Sequence, residues 1–406
     1  MYSPSVTQHE IERIESHTGL KLVRNEIGKC LEFAESYRKL VRSDGSLSRL
    51  LTRDEQSFIL NEQILAKLDC NYFLPRYATL VRDGIAGGGL GKLSLWESQK
   101  LLMDVIEKAE QEEWEKSQRG EPSDGILICD HKARQIGHTA IGRAILMHRL
   151  LFWGHTRGTS ASVDEDKVQE LYDRDKLLWE NLPLYLKPKL LFDVKNEHLR
   201  FDLTQSFLLY QQSNKVSSLG QGRQFNVAHC TELSEYLFPE RVEVDFFPTL
   251  PQSWRTFCLL ESRANGRGNW WHRFSELCRQ GRKPRWRYCF IPWYAEPKKY
   301  LRTPPVNWKP SEVAMLHARH VHDTSREFVG KDVYLTREQL YWWESTRKEY
   351  QESGSLNYFL ANYCCTPEES FQHSGISAFP TEFLEKSRLG AAASKGTFYE
   401  VRLGNS

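Results

Sequence analysis

Along much of the first 120 residues, apolar side chains recur at spacings of three and four, which is the pattern of amphipathic helices. Ser16–Leu40, Leu60–Leu68 and Trp96–Trp114 follow it most clearly. Asp83–Gly91 (DGIAGGGLG) is predicted to be a flexible loop, and Arg119–Asp124 (RGEPSD) has the composition of a linker. We therefore predict a helical N-terminal subdomain over residues 1–120.

The pattern changes at residue 125, where short apolar runs begin to alternate with helical stretches. Gly137–Trp153 and Asp164–Leu178 are the predicted helices. The predicted strands are Gly125–Cys129, Ser206–Tyr210, Phe225–Cys230, Thr256–Leu260 and Arg287–Ile291. Strands that alternate with helices favour an α/β core with a mainly parallel sheet flanked by helices. We predict that this core spans residues 121–303.

Residues 304–406 form a third stretch, in which aromatic residues become frequent and the helical pattern returns as far as residue 390. Thr336–Tyr350 is its clearest predicted helix. We predict that this stretch is a C-terminal lid on the α/β core.

Composition narrows the class of protein. Of the 406 residues, 40% are hydrophobic, 27% are charged and 12% are aromatic, and this aromatic content argues against disorder. No apolar run approaches the ~18 residues of a membrane span, and the N-terminus lacks the features of a signal peptide. The nine cysteines form no CxxC pair, which predicts buried thiols. We expect a cytoplasmic protein.

The formal net charge is +2, which argues against a protein that stays permanently on DNA. A motor that must grip and release DNA remains compatible with it, because every phosphate contact adds affinity that has to be undone.

One junction carries candidate chemistry. The strand Gly125–Cys129 leads into Lys132–Thr139 (KARQIGHT), and a helix is predicted from Gly137. A loop between a strand and a helix offers backbone N–H groups to phosphates, Lys132 adds a positive charge, and Thr139 adds a hydroxyl for magnesium. The lysine precedes its usual place in such loops, so an ordinary basic turn before a helix is an equally good interpretation of the spacing. Ala86–Ser94 (AGGGLGKLS) looks similar, but no apolar strand precedes it, and a glycine-rich surface loop is the better interpretation.

Five segments together resemble the large terminase subunits of tailed bacteriophages, in the order in which that family carries them. KARQIGHTAIGRAILMHRLLF, from Lys132, resembles the variant Walker A segment. LWESQ, ending in Gln99, resembles the adenine-recognition segment, and NVAHCTEL, from Asn226, the Walker B strand. LESRANGRG, from Leu260, resembles the coupling segment, and YCCTPEESF, from Tyr363, the stretch before the nuclease domain.

The resemblance implies a P-loop NTPase fold of the RecA-like additional-strand class, with ATP and Mg²⁺ as ligands. It assigns Gln99, Lys132, Arg134, Gln135, Gly137, His138 and Thr139 to nucleotide binding. Arg134 would also act as a finger in cis, Glu232 would activate the attacking water, and Glu235 competes with it for that role. Thr139 and, through water, Glu232 would hold magnesium. Coupling to DNA movement would involve Glu261, Ser262, Asn265 and Gly266.

The implied activity is ATP hydrolysis that drives double-stranded viral DNA through a portal into a procapsid in the host cytoplasm. Implied partners are the portal protein, the small terminase subunit and further copies of the chain in a ring. We expect no nuclease activity, because no aspartate follows Asp332 and a two-metal nuclease needs clustered carboxylates.

Three departures from the family pattern leave two other functions open. Ala140 replaces a second hydroxyl, Thr231 stands where an aspartate is usual, and Arg263 replaces the coupling threonine. The alternatives are another DNA translocase or helicase-like ATPase, and a non-catalytic assembly or DNA-bridging subunit.

Three other groups of residues are also candidates for a functional role. The histidines of HARHVHD (His317, His320 and His322) could bind a metal or line a partly exposed helix. The basic run Arg279–Arg287 could contact DNA phosphates, a neighbouring subunit, or solvent alone. The arginines Arg143, Arg149 and Arg157 are candidates to reach the site of a neighbouring subunit.

Overall fold

The computed structural model describes residues 4–82, 89–194, 198–214, 219–220 and 223–371. The chain divides into two compact units. The first comprises Met1–His131, Gln135–Ser262 and Trp270–Cys289, and the second comprises Lys132–Arg134, Arg263–Asn269 and Phe290–Ser406. Along the sequence, two short segments of the second unit therefore lie between segments of the first unit. The domain boundaries at residues 120 and 303 stay a prediction.

Helices dominate the N-terminal part of the first unit. They are α1 (Pro4–Thr18), α2 (Ile27–Leu40), α3 (Arg53–Leu68) and α4 (Cys70–Tyr77). The predicted helix Ser16–Leu40 is wrong over residues 19–26, because α1 ends at Thr18, Gly19 has a left-handed φ of 67° and α2 begins only at Ile27. Helix α3 begins at a capping box in which Thr52 and Glu55 exchange hydrogen bonds.

Two short antiparallel strands, β1 (Thr79–Arg82) and β2 (Gly89–Lys92), follow these helices. The predicted flexible loop therefore ends in a strand, and its residues Asp83–Gly88 lie outside the described part of the chain. Helix α5 (Glu97–Gln118) confirms the amphipathic pattern that begins near Trp96.

The described residues also form an eight-stranded, mainly parallel sheet in the order β10-β3-β9-β8-β4-β7-β6-β5. Its strands are β3 (Ile126–Lys132), β4 (Arg157–Ser162), β5 (Leu190–Val194), β6 (His198–Phe201), β7 (Phe207–Gln212), β8 (Val227–Thr231), β9 (Phe257–Ser262) and β10 (Trp286–Ile291). Only the pairings of β6 with β5 and β7 are antiparallel among the pairings with a described register. The α/β fold with a mainly parallel sheet is confirmed.

Helices α6 (His138–Phe152), α7 (Glu165–Glu180) and α8 (Trp270–Arg279) lie between these strands along the chain. Helix α6 contacts β4, β8 and β9. Its Gly142 permits this approach, since a Cβ atom there would lie 2.7 Å from the His229 ring and 2.8 Å from Leu259.

The C-terminal part of the second unit contains α9 (Glu312–Val329), α10 (Arg337–Glu352), α11 (Leu356–Asn362) and α12 (Pro367–Ser370). Helix α10 confirms the predicted helix Thr336–Tyr350, with Thr336 as its N-cap in a capping box with Gln339. In the part of the chain that the structure describes, no helix has the length and apolar character needed to cross a bilayer.

All nine cysteines are free and buried, which confirms the expectation of buried thiols. Burial raises the pKa of Cys230 to about 12, so this thiol stays protonated and inert at neutral pH.

Candidate nucleotide site

The strand order brings the predicted site residues of the first unit to one edge of the sheet. Strand β9 lies between β3 and β8, as the additional-strand class of P-loop NTPases requires. In the register of these parallel strands, Asp130 pairs with Glu261, and Glu261 pairs with Thr231. The carboxyl ends of parallel strands form one edge, where ligands of open α/β sheets bind. The loop after β3 and the residue Glu232 after β8 therefore belong to the same edge.

The loop has an unusual backbone. Gln135 and Gly137 both adopt left-handed conformations, with φ of 58° and 79°. Gly137 has a second constraint, because a Cβ atom there would lie 2.7 Å from Gln99 Nε2 and 3.2 Å from the Trp96 ring. Gly137 is also the N-cap of α6 and has no side chain to bond the first-turn N–H groups. Those N–H groups and the helix dipole make this end of α6 suitable for an anion such as a phosphate.

Two side chains at the start of α5 hold this loop. Ser98 Oγ donates to Ile136 O at 3.0 Å, and Gln99 Nε2 donates to Gly137 O at 2.8 Å. Gln99 Oε1 accepts from the backbone N–H of Trp96 at 2.9 Å, and Gln99 is only 2% exposed. Gln99 thus supports the loop in this conformation, and its predicted contact with adenine stays a prediction.

His138 supports the loop as well. Its side chain is fully buried, with Nδ1 2.7 Å from Asp130 Oδ2 and Nε2 3.1 Å from Ser98 O. Both ring nitrogens are therefore engaged inside the protein. The contribution of His138 to nucleotide binding is limited in this arrangement to its backbone N–H.

Thr139 is placed differently from the sequence expectation, because its hydroxyl is already bonded. Thr139 Oγ1 donates to Glu261 Oε1 at 2.5 Å. Glu261 lies in the segment that resembles the coupling motif, yet its carboxylate contacts the first turn of α6, directly after the loop. Its side chain is nearly completely buried. No feature of the sequence pattern indicated this contact.

A chain of buried polar groups extends from this contact into the core, and we call it the buried polar chain. It consists of Thr139, Glu261, His229, Arg143 and Asp175. His229 Nε2 lies 3.7 Å from Glu261 Oε1, and Arg143 Nη1 donates to His229 Nδ1 at 3.4 Å. Arg143 Nε donates to Asp175 Oδ1 at 2.9 Å, and Arg143 Nη2 donates to Asp175 Oδ2. These five residues lie on four elements, α6, β9, β8 and α7, and connect the start of α6 to α7.

The charges along the buried polar chain stabilise one another. Burial opposes the charge of Arg143, but the carboxylate of Asp175 raises the pKa of this guanidinium. Burial lowers the pKa of His229, so its ring is neutral at pH 7. Because Arg143 donates to Nδ1, the neutral ring carries its proton on Nε2, which faces Glu261.

Glu232 follows β8 in a left-handed conformation, with φ of 58° and ψ of 37°. Its backbone N–H donates to Glu261 O at 2.9 Å. The side chain is half-buried, whereas that of Glu235 is exposed. A left-handed conformation at a residue other than glycine costs about 1–3 kcal/mol and concentrates at functional sites. This geometry favours Glu232 over Glu235 as the carboxylate for chemistry.

The remaining predicted site residues belong to the second unit. Arg134 donates from its backbone N–H to Asn362 O at 2.9 Å, and its carbonyl accepts from the Tyr300 hydroxyl. The Arg134 side chain is exposed and Lys132 is half-buried. Asn362 Oδ1 accepts from Arg263 Nη1 at 3.0 Å. Asn362, which the sequence did not single out, therefore connects the start of the loop to the coupling segment.

The coupling segment is a turn within the same unit. Asn269 Nδ2 donates to Asn265 O at 2.6 Å and to Gly266 O at 3.2 Å. Gly266 has a φ of 72°, which explains the glycine at this position. The other predicted coupling residue, Ser262, lies in the first unit and accepts from Ser234 N.

Two of the candidate arginines for a neighbouring subunit are excluded in this conformation by burial. Arg143 belongs to the buried polar chain, and Arg149 is fully buried near Glu110 and the carbonyl of Arg255. Arg157 begins β4 and is exposed, so it stays a candidate.

The three histidines of α9 point to separate partners. His317 is stacked against Trp293 and Trp343, and His322 against Tyr334. His320 lies 2.5 Å from Glu369, and Cys365 is near both. The idea that the histidines bind one metal together is therefore wrong for this arrangement.

The basic run Arg279–Arg287 is largely compensated by carboxylates. Arg279 pairs with Glu276, Lys283 with Glu243, and Arg285 with Asp124. Arg287 pairs with Glu112 and Glu113. A contact of this run with DNA stays a prediction, and it would have to compete with these pairs.

No family model and no curated protein matches the sequence. Among solved structures, the large terminase of bacteriophage HK97 is similar at a TM-score of 0.46 and 11% identity, over 70% of this chain and 52% of that chain. The large terminase ATPase domain of Thermus phage P74-26 matches at a TM-score of 0.35 and 11% identity, over 50% and 88% of the two chains.

A third match is a large terminase from a thermophilic bacteriophage in complex with ATP-γ-S, at a TM-score of 0.32 and 11% identity. It covers 52% of this chain and 48% of that chain. The chain thus spans about half the length of the HK97 protein.

Proposed function

We propose that the chain is the ATP-hydrolysing subunit of a viral DNA-packaging motor. The observation that carries this proposal is the position of β9 between β3 and β8, with the loop and Glu232 at the same edge of the sheet. Five motifs of the terminase type in the family's order support the choice among P-loop ATPases.

The loop fits a nucleoside triphosphate in its chemistry. The uncapped end of α6 offers backbone N–H groups, and Lys132 and Arg134 add two cationic side chains within the same loop. A triphosphate carries several negative charges, so these groups complement it. Gln99, Ser98 and His138 fix the loop from below, which reduces the reorganisation needed when the nucleotide binds.

Magnesium also fits, because it prefers oxygen ligands and this edge of the sheet has a hydroxyl and a carboxylate in direct contact. Thr139 and, through water, Glu232 would hold it. When bound with ATP, Mg²⁺ neutralises charge on the phosphate oxygens.

Glu232 is proposed as the general base. Phosphoryl transfer depends mainly on positioning and charge neutralisation, and one carboxylate is needed to orient the attacking water and accept its proton. The strained backbone of Glu232 aims this side chain from the end of β8. Arg134, whose side chain is exposed, would stabilise the charge that develops on the phosphate oxygens.

The proposed work of the motor is movement of double-stranded DNA through a portal into a procapsid. The motor would be a ring of copies of this chain, and it would receive DNA with the small terminase subunit. These partners follow from the motif resemblance, and Asn265 and Gly266 would pass the state of the nucleotide to the DNA grip.

Steady-state ATP turnover tests the proposal. We expect Glu232→Ala and Lys132→Ala each to lower kcat by about 100-fold or more, since a positioned base contributes about 10²–10⁴ and a donor that stabilises developing charge about 10²–10³. The matched control is Glu240→Ala, which removes an exposed carboxylate from the same segment and should leave turnover unchanged. Equal turnover in all four proteins would contradict the catalytic assignment. Adding DNA and portal should then raise wild-type turnover more than DNA alone.

A further inference from the structure

The strand that precedes Glu232 has no carboxylate at the level where P-loop enzymes place one. Thr231 occupies that position and is 4% exposed. Its hydroxyl donates to Ser162 Oγ at 3.0 Å, toward β4 and away from the loop. Thr231 therefore does not supply a metal ligand from this strand.

A carboxylate lies at the same level on the neighbouring strand. Glu261 is the register partner of Thr231 on β9, and it is also the register partner of Asp130 on β3. In parallel strands, register partners extend from the same face of the sheet. Glu261 is thus one strand closer to the loop than Thr231, and its longer side chain reaches the Thr139 hydroxyl at 2.5 Å.

We propose that Glu261 has taken over the role of the absent aspartate: it holds the Thr139 hydroxyl and the Mg²⁺ of the nucleotide from strand β9. This proposal rests on the proposed ATPase function. It changes the assignment of Glu261 from coupling to metal positioning.

His229 is the positioning residue for Glu261. Arg143 donates to His229 Nδ1, which leaves Nε2 directed at Glu261 at 3.7 Å. Gly142 leaves the space that the imidazole ring occupies. The carboxylate is therefore confined between the Thr139 hydroxyl on one side and a fixed imidazole on the other.

Binding of a fluorescent ATP-γ-S analogue in EDTA and over a Mg²⁺ titration tests the assignment without depending on turnover. In the wild type, Mg²⁺ should tighten binding. In Glu261→Gln, an isosteric change, the Mg²⁺ midpoint should rise by about 10- to 100-fold, as for loss of a group that orients a metal site. Affinity in EDTA should fall little. Thr231→Ala is the matched control and should keep the wild-type midpoint.

A second, independent variant places a carboxylate on β8, at position 231. Glu261→Gln combined with Thr231→Asp should recover part of the Mg²⁺ response. For His229, the Mg²⁺ midpoint should rise in His229→Leu and be restored in His229→Gln, whose amide N–H can still face Glu261. Unfolding midpoints of all variants, measured without nucleotide, identify any variant that has not folded.

The outcomes separate the two proposals. If the wild type responds to Mg²⁺ and Glu261→Gln responds equally, the assignment of Glu261 is overturned and the ATPase proposal stands. If Thr231→Ala loses the response, the metal position belongs to β8. If the folded wild type binds no nucleotide, both proposals are overturned.

Discussion

Two buried regions, one in each unit of the chain, differ in the side chains that fill them. Under the loop of the first unit, the buried polar chain joins Thr139 to Asp175 through charged and hydrogen-bonding groups. In the second unit, rings of Trp293, Tyr300, His317, Trp342, Trp343, Phe359 and Tyr363 pack into an aromatic cluster. Apolar packing depends on shape and area, whereas a buried polar chain depends on every member keeping its partner.

The histidines show the same contrast. His229 in the buried polar chain bonds Arg143 and faces Glu261. His317 in the aromatic cluster is stacked 3.8 Å from Trp343 between centroids, and burial lowers its pKa well below the usual value. It therefore packs as a neutral aromatic ring. Buried polar groups in the first unit thus lie next to the loop that precedes α6, where hydrogen bonds fix one conformation.

The largest expected effect comes from removing a charge within the buried polar chain. Asp175→Asn would leave the buried guanidinium of Arg143 without its carboxylate, and breaking one partner of such a pair costs about 3–5 kcal/mol. Denaturant unfolding curves measure this loss of stability. The matched control is Asp332→Asn, which removes the partner of the exposed Arg326 and should change stability little. An equal loss of stability in both variants would contradict the expectation that the buried ion pair contributes more than the exposed one.

A smaller loss of stability is expected when an added methyl group crowds the buried polar chain. Gly142→Ala would put a Cβ atom 2.7 Å from the His229 ring, and overpacking of this kind costs about 1–3 kcal/mol. Because His229 then has to move, the Mg²⁺ response of nucleotide binding should weaken too. Gly154→Ala is the control, since a Cβ atom there meets nothing within 4 Å. A destabilised Gly142→Ala with an unchanged Mg²⁺ response would separate packing from positioning.

The smallest effect concerns the ion pair between His320 on α9 and Glu369 on α12. Burial opposes the charged forms of both residues, but the mutual hydrogen bond and charge raise the pKa of His320 above 6.5 and lower that of Glu369 below 4.5. The contribution of His320 is present below 6.5 and is lost as pH rises through its raised pKa. The contribution of Glu369 is present above 4.5 and is lost as pH falls through its lowered pKa.

We therefore expect Glu369→Gln to be less stable than the wild type by about 1 kcal/mol between pH 4.5 and 6.5, with a smaller difference once the pH has risen past the raised pKa of His320. Unfolding curves over a pH series measure it. A difference that is constant across the series would show that the loss comes from packing and not from the ion pair.

Much of the fold could be predicted from the sequence. The strands near Gly125, Phe225 and Thr256 are apolar runs, and the helices α5, α6, α7 and α10 carry clear periodicity. Strand β4 was missed because its sequence, RGTSAS, is polar although nearly all of it is buried. Strands β5 and β6 were missed because they form a partly exposed antiparallel hairpin at the sheet edge.

The candidate site, like the fold, could be predicted only in part. The loop was predicted because a strand, a glycine and a hydroxyl residue are close in sequence, and Glu232 was assigned through the resemblance of NVAHCTEL to the Walker B strand. The contacts of Glu261 with Thr139 and His229, and of Asn362 with the loop, join residues far apart in sequence. Strand order brings Glu261 and His229 together, and the packing of α11 brings Asn362 to the loop, so no local pattern could indicate these contacts.

The most direct test of the central claim compares nucleotide binding with nucleotide hydrolysis in one variant. Glu232→Gln keeps the size of the side chain and removes its basicity, so it should bind ATP with Mg²⁺ at wild-type affinity and hydrolyse it at least about 100-fold more slowly in a single turnover. This pairing would identify the edge formed by the loop and Glu232 as the catalytic site. Wild-type hydrolysis by Glu232→Gln, or failure of the folded wild type to bind ATP, would contradict the account.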